Sequence, residues 1–110
     1  MSHPFHVYGV ALGLVSALRS ELEELAKADR SLADQLRRAA SSVVLNIAEG
    51  NRRTGKDRLH FFRIAVGSAA EVRAALEVAR VWGMIGVAPA AEAELDRLLA
   101  MLWKLTHRPR

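Results

Sequence analysis

The chain of 110 residues contains no cysteine. Disulfide bonds and thiolate metal sites are therefore excluded, and a reducing compartment fits this composition. Lys and Arg number 16 against 12 Asp and Glu, which gives a formal net charge of +4 and a pI near 10.3. Such an excess favours an anionic partner such as nucleic acid, although many ordinary proteins carry as much.

The sequence also lacks a long hydrophobic run. The uncharged run from Pro4 to Leu18 is shorter than the roughly 20 apolar residues that a bilayer-spanning helix needs. It has neither the Lys/Arg start nor the small-x-small cleavage site of a signal peptide. We therefore expect a cytoplasmic protein. A chain of 110 residues with 51% hydrophobic content predicts one domain, residues 1–110, around one core.

No segment alternates as a β-strand does over a useful length, and helical periodicity dominates instead. The predicted helices run from Pro4 to Ala28, from the N-cap Ser31 to about Glu49, from about Lys56 to Trp82, and from Pro89 onwards. The apolar seam of the third predicted helix is Phe62, Ala65, Ala69, Val72, Leu76 and Ala79. Helices of uneven length joined by short loops predict an all-α fold, an antiparallel up-down four-helix bundle.

The glycines and caps of the central helices carry further expectations. Ser31 is the expected N-cap of the second helix, and Thr54 that of the third. Gly50 is expected to stop the second helix, because glycine reaches the left-handed conformation without a Cβ penalty. Gly67 stands in mid-helix, where glycine costs about 1 kcal/mol relative to alanine. It therefore predicts a close approach to the backbone or a bend.

Polar residues interrupt the apolar periodicity of the two central helices. They are Gln35, Arg38, Asn46 and Glu49, with Ser42 on the same stripe, and then Ser68 and Glu71. In an antiparallel pair, Arg38 would meet Glu71, and such a buried bidentate pair fixes helix register. Asn46 would meet Ser68 or the backbone of Gly67. We predict an internal structural network, and the alternative is a solvated polar face.

Neither catalysis nor metal binding is expected. The polar stripe has no nucleophile or general base with a partner suited to neutral pH. Asp57 and His60 have the spacing of a bundle di-iron motif, but that chemistry needs two Glu-x-x-His segments and two further glutamates. His3 and His6 would form a metal pair only in a helix, at a terminus that we expect to fray. There is no phosphate-cradling glycine loop and no nucleophile elbow. We expect a non-enzyme without cofactors.

A cluster of cations lies in the loop before the third predicted helix and in that helix's first turns. The cluster, here named the basic rim, comprises Arg52, Arg53, Lys56, Arg58 and Arg63. Only Asp57 opposes it, so the span carries five minus one, or +4. The planar fork of arginine suits phosphate, and so does a helix N-terminus. We see no aromatic interleaving typical of base stacking, which predicts backbone-directed binding. The alternative is a solvated rim.

The runs QLRRAASSVVLNIAEGNRR and FFRIAVGSAAEV resemble the signature of a family of four-helix-bundle proteins. These proteins are encoded in intervening sequences of bacterial large-subunit ribosomal RNA genes. The accessory variability protein of diversity-generating retroelements uses the same fold. The resemblance is densest from Leu32 to about Ile85. It departs from the family where Val43-Val44-Leu45 replaces a more usual serine-isoleucine-proline-like stretch.

The resemblance implies a ring-like homopentamer with a basic surface, and the retroelement relatives bind nucleic acid and a reverse transcriptase. The positions that match the signature are Gln35, Arg38, Asn46, Glu49, Gly50, Gly67, Ser68 and Glu71. Large apolar residues near the last connector and on the last helix also favour assembly, namely Trp82, Met84, Ile85, Met101 and Trp103. Two functions follow as alternatives. One is an oligomeric adaptor for RNA or DNA and a reverse transcriptase, and the other is a structural or regulatory oligomer.

Overall fold

The computed structural model describes residues 4–107. Its helices are α1 Pro4–Ala17, α2 Arg19–Ala28, α3 Arg30–Asn51, α4 Gly55–Val81 and α5 Pro89–Thr106. No strand occurs between residues 4 and 107, so the all-α class is confirmed. The first predicted helix is divided in two, which makes five helices in the described chain where we expected four.

The division at Leu18 is a local tightening of the helix. The N–H of Leu18 is shared between the carbonyls of Leu14 and Val15 at 3.0 and 3.2 Å, a three-centre bond common at helix ends. The N–H of Leu22 then bonds the carbonyl of Leu18 at 2.9 Å. Leu18 itself is fully buried. One helix therefore follows the other without an intervening loop.

Neighbouring long helices run antiparallel. The contacts that set their directions are Gly50 with Phe62 and Ser42 with Ser68 (α3–α4), Gly13 with Glu94 and His6 with Arg97 (α1–α5), and Arg73 with Asp96 and Arg80 with Glu92 (α4–α5). In each helix pair, residue numbers rise along one helix as they fall along the other. α1 packs on α3 and α5, and α4 packs on the same two helices. α1 and α4 therefore lie diagonally opposite each other.

The core lies along the axis that these helices surround. Its largest fully buried side chains include Leu14, Leu36, Ile47, Phe62, Leu98 and Leu102. The seam predicted for the third helix, from Phe62 to Ala79, is buried at all six positions. The spacing of its apolar residues was therefore sufficient to predict the inward face of α4.

The cap of α3 differs from the prediction. The carboxylate Oδ1 of Asp29 accepts the N–H of Leu32 at 3.0 Å, so Asp29 is the N-cap and α3 begins at Arg30. Ser31, the predicted cap, lies inside the helix and is exposed. Thr54 does occupy the N-cap position of α4, but its side chain makes no capping hydrogen bond.

Gly50 does not stop α3, because the helix continues through Asn51. A Cβ on Gly50 would lie 2.6 Å from Cε1 of Phe62. The glycine therefore allows α4 to approach α3 closely beside the loop. The glycines with positive φ are Gly55 and Gly83, at 58° and 75°. Gly67 is exposed, and nothing lies within 4 Å of a Cβ built on it, so no close approach occurs there within one chain.

Candidate nucleic-acid interface and polar stripe

The basic rim lies at one end of the helices. The loop at residues 52–54 joins the C-terminus of α3 to the N-terminus of α4. The C-terminal turn of α5 lies beside it, since Leu105 and Thr106 line the same cavity as Gly55, Arg58 and Phe62. Cations from a loop and a helix start therefore share one end of an elongated molecule that measures 45 × 22 × 19 Å.

Arg58 is used within the chain. Its Nε donates to the carbonyl of Gly50 at 3.1 Å, and its Nη2 donates to the carbonyl of Asn51 at 3.3 Å. These carbonyls lie at the C-terminal end of α3, and the carbonyl of Gly50 also accepts the N–H of Arg53 at 3.0 Å. A cation there also faces the negative end of the α3 dipole. Arg58 thus connects the start of α4 to the end of α3.

Arg53 is partly engaged. Its Nε and Nη2 donate to Oε2 of Glu49 at 3.0 and 2.8 Å, and its side chain remains 45% exposed. The guanidinium also lies 5.1 Å from the ring centroid of Phe61, a cation–π distance. Phe61 is an aromatic residue of this region that the sequence interpretation missed. Glu49 was predicted in an internal network, and the structure places it at the rim instead.

The other three cations of the basic rim have no such partner. Arg52, Lys56 and Arg63 are exposed, and among residues 4–107 no carboxylate forms an ion pair with any of them. The first N–H groups of α4 also lack a side-chain cap from Thr54. Free cations beside an uncapped helix N-terminus form a surface that can bind phosphate.

Part of the predicted polar network exists. The hydroxyls of Ser42 and Ser68 lie 2.7 Å apart across the α3–α4 contact. Nδ2 of Asn46 donates to the carbonyl of Ser42 at 2.8 Å and to its Oγ at 3.0 Å. Asn46 therefore reaches Ser68 through Ser42, not directly as we expected. Ser68 is one of the few buried polar residues of the described chain.

The rest of the polar stripe points outward. Gln35, Arg38 and Glu71 are exposed, and no ion pair joins Arg38 to Glu71 in the described part of the chain. The buried arginine–carboxylate pair is therefore a wrong prediction for a single chain. Ser42 and Ser68 reach the α3–α4 contact, whereas Arg38 and Glu71, about one turn away on their helices, face solvent.

Two further ion pairs connect α4 to α5, Arg73 with Asp96 and Arg80 with Glu92. The sequence interpretation did not identify them, because the partners lie on helices whose relative register was unknown. All four side chains are partly exposed. Exposed pairs of this kind contribute about 0–1 kcal/mol each, so they support the register of α4 and α5 without dominating stability.

The large apolar residues expected at an interface separate into two groups. Ile85 and Met101 are buried in the core, and Met84 is half-buried. Trp82 and Trp103 are exposed, and the ring of Trp103 stacks on His107 at a centroid distance of 4.5 Å. Of these five residues, the two tryptophans therefore remain as candidates for contact with a partner.

These observations define a small, basic, all-helical protein with a cationic end. The family model of the 23S rRNA-intervening sequence protein matches residues 5–104. The chain therefore belongs to the 23S rRNA-intervening sequence protein family, as the resemblance in its central segment predicted. Comparisons with curated proteins and with solved structures find no match. None of the helices within residues 4–107 is long and apolar enough to cross a membrane.

Proposed function

We propose that this protein is a non-enzymatic, homo-oligomeric adaptor that binds the backbone of RNA or DNA through its basic rim. The observation that carries the proposal is the exposure of Arg52, Lys56 and Arg63, which form no ion pair with a carboxylate among residues 4–107. The name of the family, which refers to an intervening sequence of 23S rRNA, is consistent with a nucleic-acid context.

The assembly belongs to the same proposal. α1 and α2 act as one arm, because Leu18 bonds to both without a loop. That arm, α3, α4 and α5 then form an up-down four-helix bundle. The family resemblance supports a ring-like homopentamer, so light scattering after size exclusion should give about five times the 12.1 kDa of one chain. A reverse transcriptase is a further partner that the retroelement relatives suggest.

Removing free cations from the basic rim should weaken binding in a characteristic way. On single strands, each phosphate contact contributes about −0.7 to the slope of log affinity against log salt, and on duplexes about −0.9. The double variant Arg52→Ala/Lys56→Ala should therefore bind more weakly and show a flatter slope. Fluorescence anisotropy with labelled single-stranded RNA across a salt series measures both quantities.

The matched control is Lys27→Ala/Arg30→Ala, which removes the same charge from exposed positions beside the α2–α3 turn. It should keep nearly the wild-type slope, because those cations lie far along the chain from the basic rim. Circular dichroism must show that both variants are folded. Equal slopes for the two variants would mean that general charge, and not this rim, governs binding.

One observation favours the alternative function, a structural or regulatory oligomer. Arg53 and Arg58 already bond within the chain, so two of the five rim cations have intramolecular roles. If wild-type protein binds neither RNA nor DNA at low salt, the alternative replaces the adaptor.

A further inference from the structure

The outward side of α4 carries a second seam. The residues of this α4 face are Ile64, Gly67, Glu71, Ala74, Val78 and Val81, at alternating steps of three and four. That spacing is the one at which helices pack as coiled coils. All six positions are exposed, and Glu71 is the only charged residue among them. Solvated helix faces are normally polar, so this face has the composition of a contact surface without a contact in the single chain.

The α4 face continues past the end of the helix. Val78, Val81 and Trp82 line a largely apolar depression there, with Glu77 at its edge, and Trp82 is 73% exposed. Exposed apolar residues that occur singly are ordinary, whereas a contiguous patch marks an interaction surface. The α4 face and this depression form such a patch along most of the helix.

α1 also has an apolar face that is exposed to solvent. Its sequence, PFHVYGVALGLVSA, contains no Asp, Glu, Lys or Arg. A helix without a charged side is normally buried all round. Nevertheless Gly9, Leu12 and Ser16 form an exposed side, here named the α1 face, and Leu12 is 45% exposed.

The two faces lie on different sides of the molecule. α1 and α4 both pack on α3 and α5, so each occupies a corner diagonal to the other. Their outward sides therefore cannot meet within one molecule. They can meet between molecules, when one copy presents its α4 face and the next presents its α1 face.

We propose that the α4 face of one copy packs against the α1 face of a second copy, head to tail. The inference rests on the homo-oligomer of the proposed function and identifies the surfaces that build it. A head-to-tail contact uses two different faces, and it produces a closed ring when the rotation between neighbours closes. Each copy in the ring then covers both of its apolar faces.

The α1 face is shorter than the α4 face and can cover part of it. At 1.5 Å per residue, the α4 face from Ile64 to Val81 extends about 26 Å, and the α1 face from Gly9 to Ser16 extends about 11 Å. Gly9 and Gly67 both have open space above the backbone, with nothing within 4 Å of a Cβ. Glycine at these positions lets the two helix axes approach closely. The close approach expected at Gly67 is thus made by a neighbouring copy.

Charge favours this pairing over the contact of each face with itself. Two α4 faces in symmetric contact would bring Glu71 towards a second Glu71. The α1 face has no charged residue, and Arg19, one turn beyond it, is exposed without a carboxylate partner among the described residues. In an α4–α1 contact, therefore, no two like charges face each other.

The variant Ala74→Arg tests the α4 face. Ala74 is exposed in the single chain, so the arginine fits the folded chain and obstructs only the contact between copies. Size exclusion with light scattering should show a fall from the oligomer to 12.1 kDa, with unchanged circular dichroism. The matched control, Ala100→Arg on the exposed side of α5, should keep the oligomer. Wild-type mass for Ala74→Arg would overturn this interface and leave the assembly intact. A monomeric wild-type protein would overturn the assembly itself.

Cysteine cross-linking tests the head-to-tail order, because the natural chain contains no cysteine. Single variants Ser16→Cys and Ala74→Cys are treated with a short bismaleimide, alone and after mixing through a dissociated state. Covalent dimers should form in the mixture, and neither variant alone should give them. Dimers from Ala74→Cys alone would indicate a symmetric α4–α4 contact, and an absence of dimers in the mixture would show that the faces do not meet. Either result overturns the proposal.

Discussion

At the scale of single residues, the cations of the basic rim have unequal roles. Arg58 donates to two carbonyls at the end of α3, whereas Arg52 is exposed and makes no ion pair with a described residue. Sequence alone shows both as arginines in a basic segment. Only the positions of the carbonyls at the end of α3 distinguish a structural cation from one available to a ligand.

Arg58→Ala should therefore lower stability. Hydrogen bonds from a charged donor contribute about 1.5–3 kcal/mol, and the substitution removes one such bond from each of two carbonyls at the end of α3. We expect a loss of about 2 kcal/mol in the free energy of unfolding, measured by urea denaturation. Arg52→Ala is the control and should unfold within about 0.5 kcal/mol of the wild type. Equal stability of the two variants would contradict the structural role of Arg58.

At the scale of elements, the contact between α3 and α4 depends on a glycine. Gly50 lies against the buried ring of Phe62, and a Cβ would come within 2.6 Å of Cε1 and 2.7 Å of Cδ1. The ring is fully enclosed by the core and cannot move aside without disturbing its neighbours. Gly50 therefore allows α3 and α4 to lie close together beside the loop.

Gly50→Ala should destabilise the fold despite the better helix propensity of alanine. Overpacking a well-packed site costs about 1–3 kcal/mol, whereas propensity returns about 1 kcal/mol. We expect a lower melting temperature by circular dichroism. The control is Gly67→Ala in the monomeric Ala74→Arg background, where the Cβ meets nothing within 4 Å and the melting temperature should rise or stay unchanged. A stabilised Gly50→Ala variant would show that α4 moves away from α3 at little cost.

The sequence was sufficient to predict some features of these helices and insufficient to predict others. The seam from Phe62 to Ala79 follows from spacing. Apolar residues that recur with the helical period all lie on one side of the helix, and that side faces the core. The cap was assigned to Ser31 instead of Asp29, since both residue types cap helices and boundaries vary by one or two positions. Glycine is favoured both at the C-terminus of a helix and where two helices pack closely. The periodicity of the sequence does not show which of these two roles Gly50 has.

The polar stripe was predicted in part for a similar reason. Spacing places Arg38, Ser42 and Asn46 on one side of α3, but it does not give the angle between that side and α4. In the structure, Ser42 bonds Ser68 across the contact and Asn46 bonds Ser42, whereas Arg38 is exposed to solvent. The five cations of the basic rim lie close together in the sequence, whereas the intramolecular partners of Arg53 and Arg58 depend on where α3 ends.

At the scale of the whole molecule, the interface and the basic rim are connected by geometry. Contacts along the lengths of α1 and α4 would place the copies side by side, with all the basic rims at the same end of the ring. A long strand can then touch several rims at once, and linked sites raise overall affinity by about 10²–10⁴-fold without any new contact. A short oligonucleotide that reaches one rim gains nothing from the ring.

The Ala74→Arg variant should therefore separate affinity from avidity. As a monomer it keeps every residue of the basic rim, so its affinity for a short single-stranded RNA, expressed per subunit, should equal that of the wild type. Its affinity for a long single strand should fall by about 10²-fold or more, because binding through several rims is lost. Anisotropy titrations with short and long RNA of the same composition, at one salt concentration, measure both values, and Ala100→Arg serves as the folded, oligomeric control. Equal losses on short and long strands would instead mean that residue 74 lies in the binding surface itself. Equal retention on both would mean that the rims act singly even within the ring.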